Sequence, residues 1–451
     1  MGQITVQPGD NIQALVTANP AGTVFLIRGE HHGQSVVPKD DMQFIGEQGA
    51  VLKGDGAEFA FGGTPGGSGA KRVTLDSLTI QGYVPKAHPP QIEKDFQGPV
   101  IRPFGYSYDW VLRRLIVQDN RHRGIQVDNG WRVIDCIVRR NGCLGIGGAG
   151  NSATLIDGCE ISGNNTEGHD SHNEGGGIKL VHSDGLTVRD CDVFENDGPG
   201  VWYDGHSDNG KILGNRVRDN RGPGIDWEIN GAALIEGNLC ERNGLDPAWA
   251  DDWDLGGGGI IVIDSAGVIV RNNILLDNQG GIGLMDDARG DRGSWPNLEN
   301  ITVEGNRIRY TARKHGVAIA SGRPALSTSV VFDNNRYEVD PNRQGFRVGS
   351  TNLSLAGWQA KYPTDLLYEE PVEPPPPLVR PAKPVIFGVE RSILWQPVPD
   401  ADWYRVQVMT DEGWLTFADT VQHEITVGSR GRYRLRAVNG AGGSAWTTLL
   451  V

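Results

Sequence analysis

A near-repeat of one short phrase constrains this chain more than any other feature. Asn196-Asp-Gly-Pro-Gly-Val201 returns as Asn220-Arg-Gly-Pro-Gly-Ile225. The unit between the copies starts with apolar residues at Gly200-Val201, turns, and ends in a third short apolar stretch. The unit before it, 177–200, has the same plan: Ile178 opens a stretch, Ser183-Asp184-Gly185 breaks it, Leu186–Val188 forms a second, and Cys191 and Val193 lie in a third that ends at Asn196. A unit this small cannot bury an apolar face alone, so it must stack on its neighbours.

Aligning the units on the third stretch gives the pairs Leu78/Ile80, Leu115/Val117, Cys136/Val138, Cys159/Ile161, Cys191/Val193, Asn215/Val217, Asn238/Cys240, Asn273/Leu275, Asn306/Ile308 and Asn335/Tyr337. Residues two apart share one face of a strand, and the second member is apolar throughout, so that face is interior. Plain units repeat every 21–24 residues and longer ones every 29–37, the difference being loops. Three residues after seven of these pairs, Asn120, Asn141, Asn164, Asn196, Asn220, Asn243 and Asn278 form a second register. Parallel strands in register place like residues about 4.8 Å apart, so stacked Asn side chains can hydrogen-bond along the axis.

The Cys-to-Asn ladder and the Asn-x-x-x-Gly-Ile corner resemble the right-handed parallel β-helices of the pectate-lyase-like superfamily, over about residues 10–345. The resemblance implies an all-β chain: a right-handed parallel β-helix solenoid with an N-terminal helical cap. That fold hosts lyases, hydrolases, epimerases, phage spikes and adhesins, so it does not select a function.

The expected organisation has four parts. Residues 1–60 form a cap and entry strands, with an amphipathic helix near 10–19 capped by Asp10 or Asn11. Residues 61–345 form the β-helix. Residues 346–384 connect, ending in a stiff proline-rich run. Residues 385–451 form a small β-sandwich. Its Trp395, Tyr404 and Tyr433-Arg-Leu-Arg-Ala-Val438 resemble a fibronectin type III module. Five cysteines cannot all pair within one chain, and Cys136, Cys159 and Cys191 hold the inward ladder position, so buried thiols are expected.

The formal charge of -14 opposes a nucleic-acid partner, which needs a basic footprint. No apolar run approaches the ~20 residues that cross a bilayer, so no membrane insertion is expected. The opening Met1-Gly-Gln-Ile-Thr-Val-Gln-Pro-Gly-Asp10 lacks the basic start and apolar stretch of a Sec signal.

Two insertions, 164–176 and 243–258, leave the same corner three coils apart, about 14 Å at the strand spacing. They are expected to wall a groove whose floor is the outward side of the intervening strands. Alternation from inward Ile178, Val201, Ile225 and Ile260 makes Lys179, Trp202, Asp226 and Ile261 outward, then Val181, Asp204, Glu228 and Ile263. Asp204, Asp226 and Glu228 are thus candidate acid/base carboxylates, at separations of roughly 5–7 Å that suit glycoside chemistry. Lys179, His182, Trp202 and His206, with Trp249 and Trp253 of the second insertion, are candidate substrate contacts. No cofactor is expected; the alternative is Ca²⁺ on Asp251, Asp252 and Asp254 or, in a third loop, Asp286, Asp287 and Asp291. His169, Asp170, His172 and Glu174 have metal-binding residue types without the helical register of a zinc motif, and read as a polar loop.

Enzyme signatures of the superfamily are altered here. Asp246-Pro-Ala-Trp249 stands where mannuronan epimerases and related lyases carry Asp-Pro-His. Gly168-His169-Asp170 precedes Asp251-Asp252, the reverse of polygalacturonase order, and Arg307-Ile-Arg309 stands for their last motif. The first functional expectation is a virion-associated spike or fibre, resembling those of tailed phages, that binds host-surface polysaccharide through the groove. Its C-terminal domain would contact other virion proteins, its location would be virion or extracellular, and the resemblance to spikes admits a homotrimer. The alternatives are a polysaccharide lyase or glycoside hydrolase acting on acidic glycan, and a non-catalytic adhesin.

Overall fold

The computed structural model describes residues 2–63, 69–84, 98–103, 107–246, 258–286, 298–309, 317–321, 329–338, 345–365 and 367–369, and in the C-terminal part the strands from 386 to 450. The chain divides into two compact units, Met1–Pro371 and Val372–Val451. In the first, the described strands form three long sheets of 13, 13 and 12 strands. Each full coil gives one strand to each sheet, and each strand pairs in parallel with its counterparts above and below. Only Phe346–Val348 with Thr351–Leu353, at the end of the third sheet, is antiparallel. The first unit is therefore an all-β parallel solenoid, with two short helices among the described residues.

Register turns the aligned positions into continuous apolar columns. In the second sheet Val117, Val138, Ile161, Val193, Val217, Cys240, Leu275, Ile308 and Tyr337 are successive partners. In the third, Ile125, Ile146, Ile178, Val201, Ile225, Ile260 and Ile282 are. All are buried. β-Branched side chains fit a pleated surface covered on the core side, and each buried Val or Ile contributes about 1.5–3 kcal/mol. Rings stack along the axis too: Trp110 lies on Trp131 at 4.7 Å and 5°, Phe25 on Phe44 at 5.0 Å and 11°.

The corners are held by side-chain amides. Asn164 Nδ2 donates to Asn196 Oδ1 (2.9 Å) and Val138 O (3.1 Å), while Asn196 Oδ1 also accepts the Asn164 N–H (3.1 Å). The same bonds link Asn196 to Asn220, Asn220 to Asn243 and Asn243 to Asn278. A second ladder runs from Asn215 through Asn238, Asn273, Asn306 and Asn335 to Asp365. Cys191 enters it from below through its N–H, its thiol donating to Arg189 O. Among the described residues all five cysteines are buried and free. The third corner carries a ladder that the alignment does not reveal: the N–H groups of Ser183, Ser207 and Asn230 donate to the side chains of Ser207, Asn230 and Ser265. It mixes Ser with Asn, so no single residue type recurs.

The residue before a ladder member is left-handed. Asp190 (φ 54°), Gly214 (60°), Gly237 (66°) and Asn272 (54°) precede Cys191, Asn215, Asn238 and Asn273. Glycine takes this conformation without steric cost, whereas Asp and Asn are the L residues that accept it most readily.

Caps close both ends of the core. Helix Ile12–Ala18 is capped by Asn11, whose Oδ1 accepts Ala14 N–H, and it buries Ile12 and Val16. Strand Gln3–Val6, unrecognised in the sequence because it precedes the repeat, adds an edge to the first sheet. At the other end parallel pairing runs past residue 345, through Phe346–Val348 and Leu367–Glu369. Helix Leu355–Lys361 buries Trp358, whose Nε1 donates to Asp365 (2.8 Å). The repeat pattern stops there because a helix takes the place of a coil. No described helix is long and apolar enough to cross a membrane.

The second unit is antiparallel. Ile386–Val389, Ser392–Trp395 and Glu424–Thr426 form one sheet; Trp403–Thr410, Gly413–Thr420 and Arg432–Asn439, with two short strands, form the other. Tyr404, Val406 and Leu435 are buried. This is the small sandwich expected of a fibronectin type III-like module.

Asn220→Ala would leave the Asn196 backbone N–H and the Val193 carbonyl without their Asn220 partners inside the core, and cost the Asn196 side-chain amide one of its two acceptors. At about 1–3 kcal/mol per orphaned group, a loss of roughly 3 kcal/mol or more in denaturant unfolding is expected. Exposed Lys211→Thr should cost under about 0.5 kcal/mol.

Candidate functional site

Register places the outward residues of the third sheet where alternation requires. Lys179, Trp202, Asp226 and Ile261 are successive partners, as are Val181, Asp204, Glu228 and Ile263. They do not form an open floor. Lys179, Trp202, Asp226 and Glu228 are 4, 5, 5 and 8% exposed. The first insertion supplies part of the reason. It lies against the wall rather than standing off it, and Lys179 Nζ donates to its Asn173 carbonyl.

The buried groups contact one another. Lys179 Nζ is 3.1 Å from Asp204 Oδ2 and sits 3.6 Å from the Trp202 ring centroid. Trp202 Nε1 donates to Glu228 Oε2 at 3.2 Å. One face of Trp202 therefore carries a cation and its edge holds a carboxylate. That makes it a positioning residue for Glu228 more than a sugar platform. Lys179 is the cation paired with Asp204. Charges out of water persist only when paired and hydrogen-bonded.

His182 and His206 occupy the left-handed position of the third corner (φ 50° and 56°). This turns both rings outward, one coil above the other, with centroids 5.5 Å apart and planes at 17°. Both are exposed, and Asp204 beside them keeps 23% of its side-chain surface. Asp204, His182 and His206 are thus the part of the candidate set that solvent reaches. Trp249, Trp253, Asp251, Asp252, Asp254, Asp287 and Asp291 lie outside the described residues. Asp286 is described and buried.

The open concavity lies at the corner beside this sheet. A cleft of about 460 Å³ is lined by Glu195, Asn196, Asp197, Asp219, Asn220, Arg221, Arg242, Leu245 and Asp246. Arg221 bridges Asp197 (2.8 Å) and Asp246 (2.9 Å), and Arg242 holds Asp219 (2.7 Å). Burial pushes the Asp219 carboxyl up, but Arg242 and Arg218 outweigh it and hold it below the usual range. With two guanidinium groups against four carboxylates, the cleft lining is acidic on balance.

The first insertion folds toward the coils below. Glu167 pairs with Arg121 (3.1 Å), Glu174 pairs with Arg123, and Asn165 Oδ1 accepts the His169 N–H (2.8 Å). This gathers residues that the sequence reading did not connect. His122, Cys143 and His169 have their potential ligand atoms all within 4.8 Å of one another. His122 and Cys143 each stand two residues after a ladder Asn, where later coils have Gly198 and Gly222. That alignment is the signal that could have found them; His169 arrives only through the fold of its loop. Burial above all, then Arg123 and His169, push the His122 imidazole down to about 3. Burial pushes the Cys143 thiol up to about 11.

Comparison with known proteins follows from this geometry. The sequence matches the model described as right handed beta helix region over residues 104–254 and 228–353, together more than half of the chain. No curated protein matches it in sequence. Among solved structures it is similar to the A-modules of two mannuronan C-5 epimerases of Azotobacter vinelandii. Each is 15% identical with a TM-score of 0.51; the match covers 81% of this chain and 93% or 100% of theirs. It is also similar to a mannuronic acid specific polysaccharide family 6 lyase from human gut microbiota, 14% identical, TM-score 0.51, covering 78% of this chain and 92% of that one. At these identities the likeness is one of fold.

Neutral His122 is the folded form, whereas the unfolded ring takes a proton near its ordinary 6.5. Stability is therefore expected to fall as pH drops from about 6.5 toward 3, by an order of a few kcal/mol. Unfolding by urea across this range in EDTA would measure it, and His122→Asn should flatten that part of the profile.

Proposed function

The chain belongs to the family of right-handed β-helix regions, and we propose that it binds an extended, uncharged polysaccharide along its lateral wall at the third sheet. One observation carries this reading. The outward side of a solenoid sheet is ordinarily solvated, yet here it holds a buried, mutually bonded set of Lys179, Trp202, Asp204 and Glu228 beside two exposed, stacked histidines. The structural neighbours, mannuronan epimerases and a lyase specific for mannuronic acid, support a glycan as ligand. Charge argues against a polyuronate for this chain. The described outward positions of the wall carry three carboxylates and one lysine, and the lining of the cleft beside it is also acidic. Hydroxyl groups of a neutral sugar suit Asp204 as acceptor and His182 and His206 as either partner.

The separate C-terminal sandwich suits attachment to a particle through other virion or surface proteins, which gives the binding reading the role of a virion-associated, extracellular spike. A homotrimer is part of that proposal. Cleavage is the second reading, favoured by Asp204 and Glu228 lying directly opposite one another on adjacent strands. Carboxylates in such proximity divide into acid and base when one pKa rises.

Co-sedimentation with insoluble neutral glycans and with alginate tests the proposal. Binding to a neutral glycan, unchanged by salt, is expected, with weakening of about tenfold or more for His182→Ala with Asp204→Asn, the equivalent of one to two hydrogen bonds. Stronger binding to alginate, or binding untouched by these substitutions, would overturn it. Reducing ends that appear with the natural chain and vanish in Glu228→Gln would establish cleavage.

A further inference from the structure

We propose that His122, Cys143 and His169 form a binding site for a zinc-type transition-metal ion that pins the 165–175 loop to the wall of the solenoid. The residues come from three successive coils. His122 and Cys143 are stacked at the same position of the corner, and His169 is delivered from the loop above. Their ligand atoms lie within 4.8 Å of one another. A tetrahedral zinc with bonds of about 2.0 Å to nitrogen and 2.3 Å to sulfur needs ligand separations of roughly 3.3–3.8 Å. Side-chain shifts of about 1 Å reach that geometry.

A second, independent observation points to a ligand here. His122 is 0% exposed, and among the described residues neither its Nδ1 nor its Nε2 has a hydrogen-bond partner. A buried polar group is nearly always satisfied, and one that is not calls for an explanation. The His122 ring lies edge-on to His169 with centroids 5.2 Å apart, so it is aimed into the cluster. Cys143 is likewise fully buried, its Sγ 2.8 Å from the Glu174 carbonyl.

The donor set selects the metal class. Two imidazoles and a thiolate suit zinc and its neighbours, and exclude calcium and magnesium, which take oxygen. Arg123 would repel a cation, but its guanidinium is paired with Glu174. Binding displaces the Cys143 proton to solvent. Three protein ligands leave a fourth position for water. None of its three ligands is a residue of the Asp204–Glu228 wall, although the loop it pins also touches Lys179, and the assignment does not rest on the polysaccharide reading.

Cobalt(II) titration of the full chain tests the assignment, because a thiolate ligand gives a sulfur-to-cobalt charge-transfer band in the near ultraviolet and tetrahedral geometry gives intense visible bands. One equivalent should produce both, and zinc should bleach them. Cys143→Ser should remove the charge-transfer band. His169→Ala, a change in a partly exposed loop residue that leaves the core intact, should weaken binding roughly tenfold or more. His172→Ala, three residues away, should leave binding unchanged. Absence of the charge-transfer band, its persistence in Cys143→Ser, or equal loss in His172→Ala and His169→Ala would each overturn the site. Zinc should also slow proteolytic cutting within 165–175 in the natural chain and not in His169→Ala; equal cutting would overturn the loop-pinning role.

Discussion

The amide-to-amide hydrogen bond between Asn side chains on neighbouring coils is the interaction on which the rest of this solenoid depends. A coil of short strands must turn three times, and each turn leaves backbone groups that no sheet can satisfy. An Asn placed inside the turn donates to a carbonyl of the coil below and to the side chain of the next Asn above, and its oxygen accepts the N–H of the Asn below. Each such residue needs another in the same position one coil away, so the corner propagates the repeat. The left-handed residue before it supplies the bend, and the cost of that conformation in Asp, Arg or Glu is offset by the ladder bonds that follow.

Once the corners are set, the sheets follow with little freedom. Register cannot slip by one residue without moving every apolar column to the outside. Loops can be inserted at a corner without disturbing the ladder, since Asn164, followed by the 11-residue stretch 165–175, keeps the same bonds as Asn196 and Asn220, each followed by a short turn. The functional residues accordingly sit in two places: on outward strand positions, where the column is free to vary, and in insertions at the corners.

Burial of the outward wall changes the chemistry read from it. Trp202 and Glu228 looked like a sugar platform beside an acid; in the fold they hold each other, with Lys179 over the indole. What solvent reaches is Asp204 and the paired imidazoles of His182 and His206. The first insertion, expected to wall a groove, instead folds onto Arg121 and Arg123 because its Glu167 and Glu174 find their partners on the coils below. The same movement brings His169 to His122 and Cys143.

Periodicity alone determined the parallel solenoid, its inward columns and two of its three corner ladders, because a vertical stack makes sequence register equal to spatial register. The strand alternation likewise placed Lys179, Trp202, Asp204, Asp226 and Glu228 on one face. The third ladder stayed hidden because Ser and Asn substitute for each other as acceptors there, and strand Gln3–Val6 because it has no earlier copy to align with. Only the tertiary structure decided which outward residues remain accessible and where the insertions lie. Those outcomes depend on ion pairs and hydrogen bonds between a loop and coils distant in sequence, and no repeat encodes them.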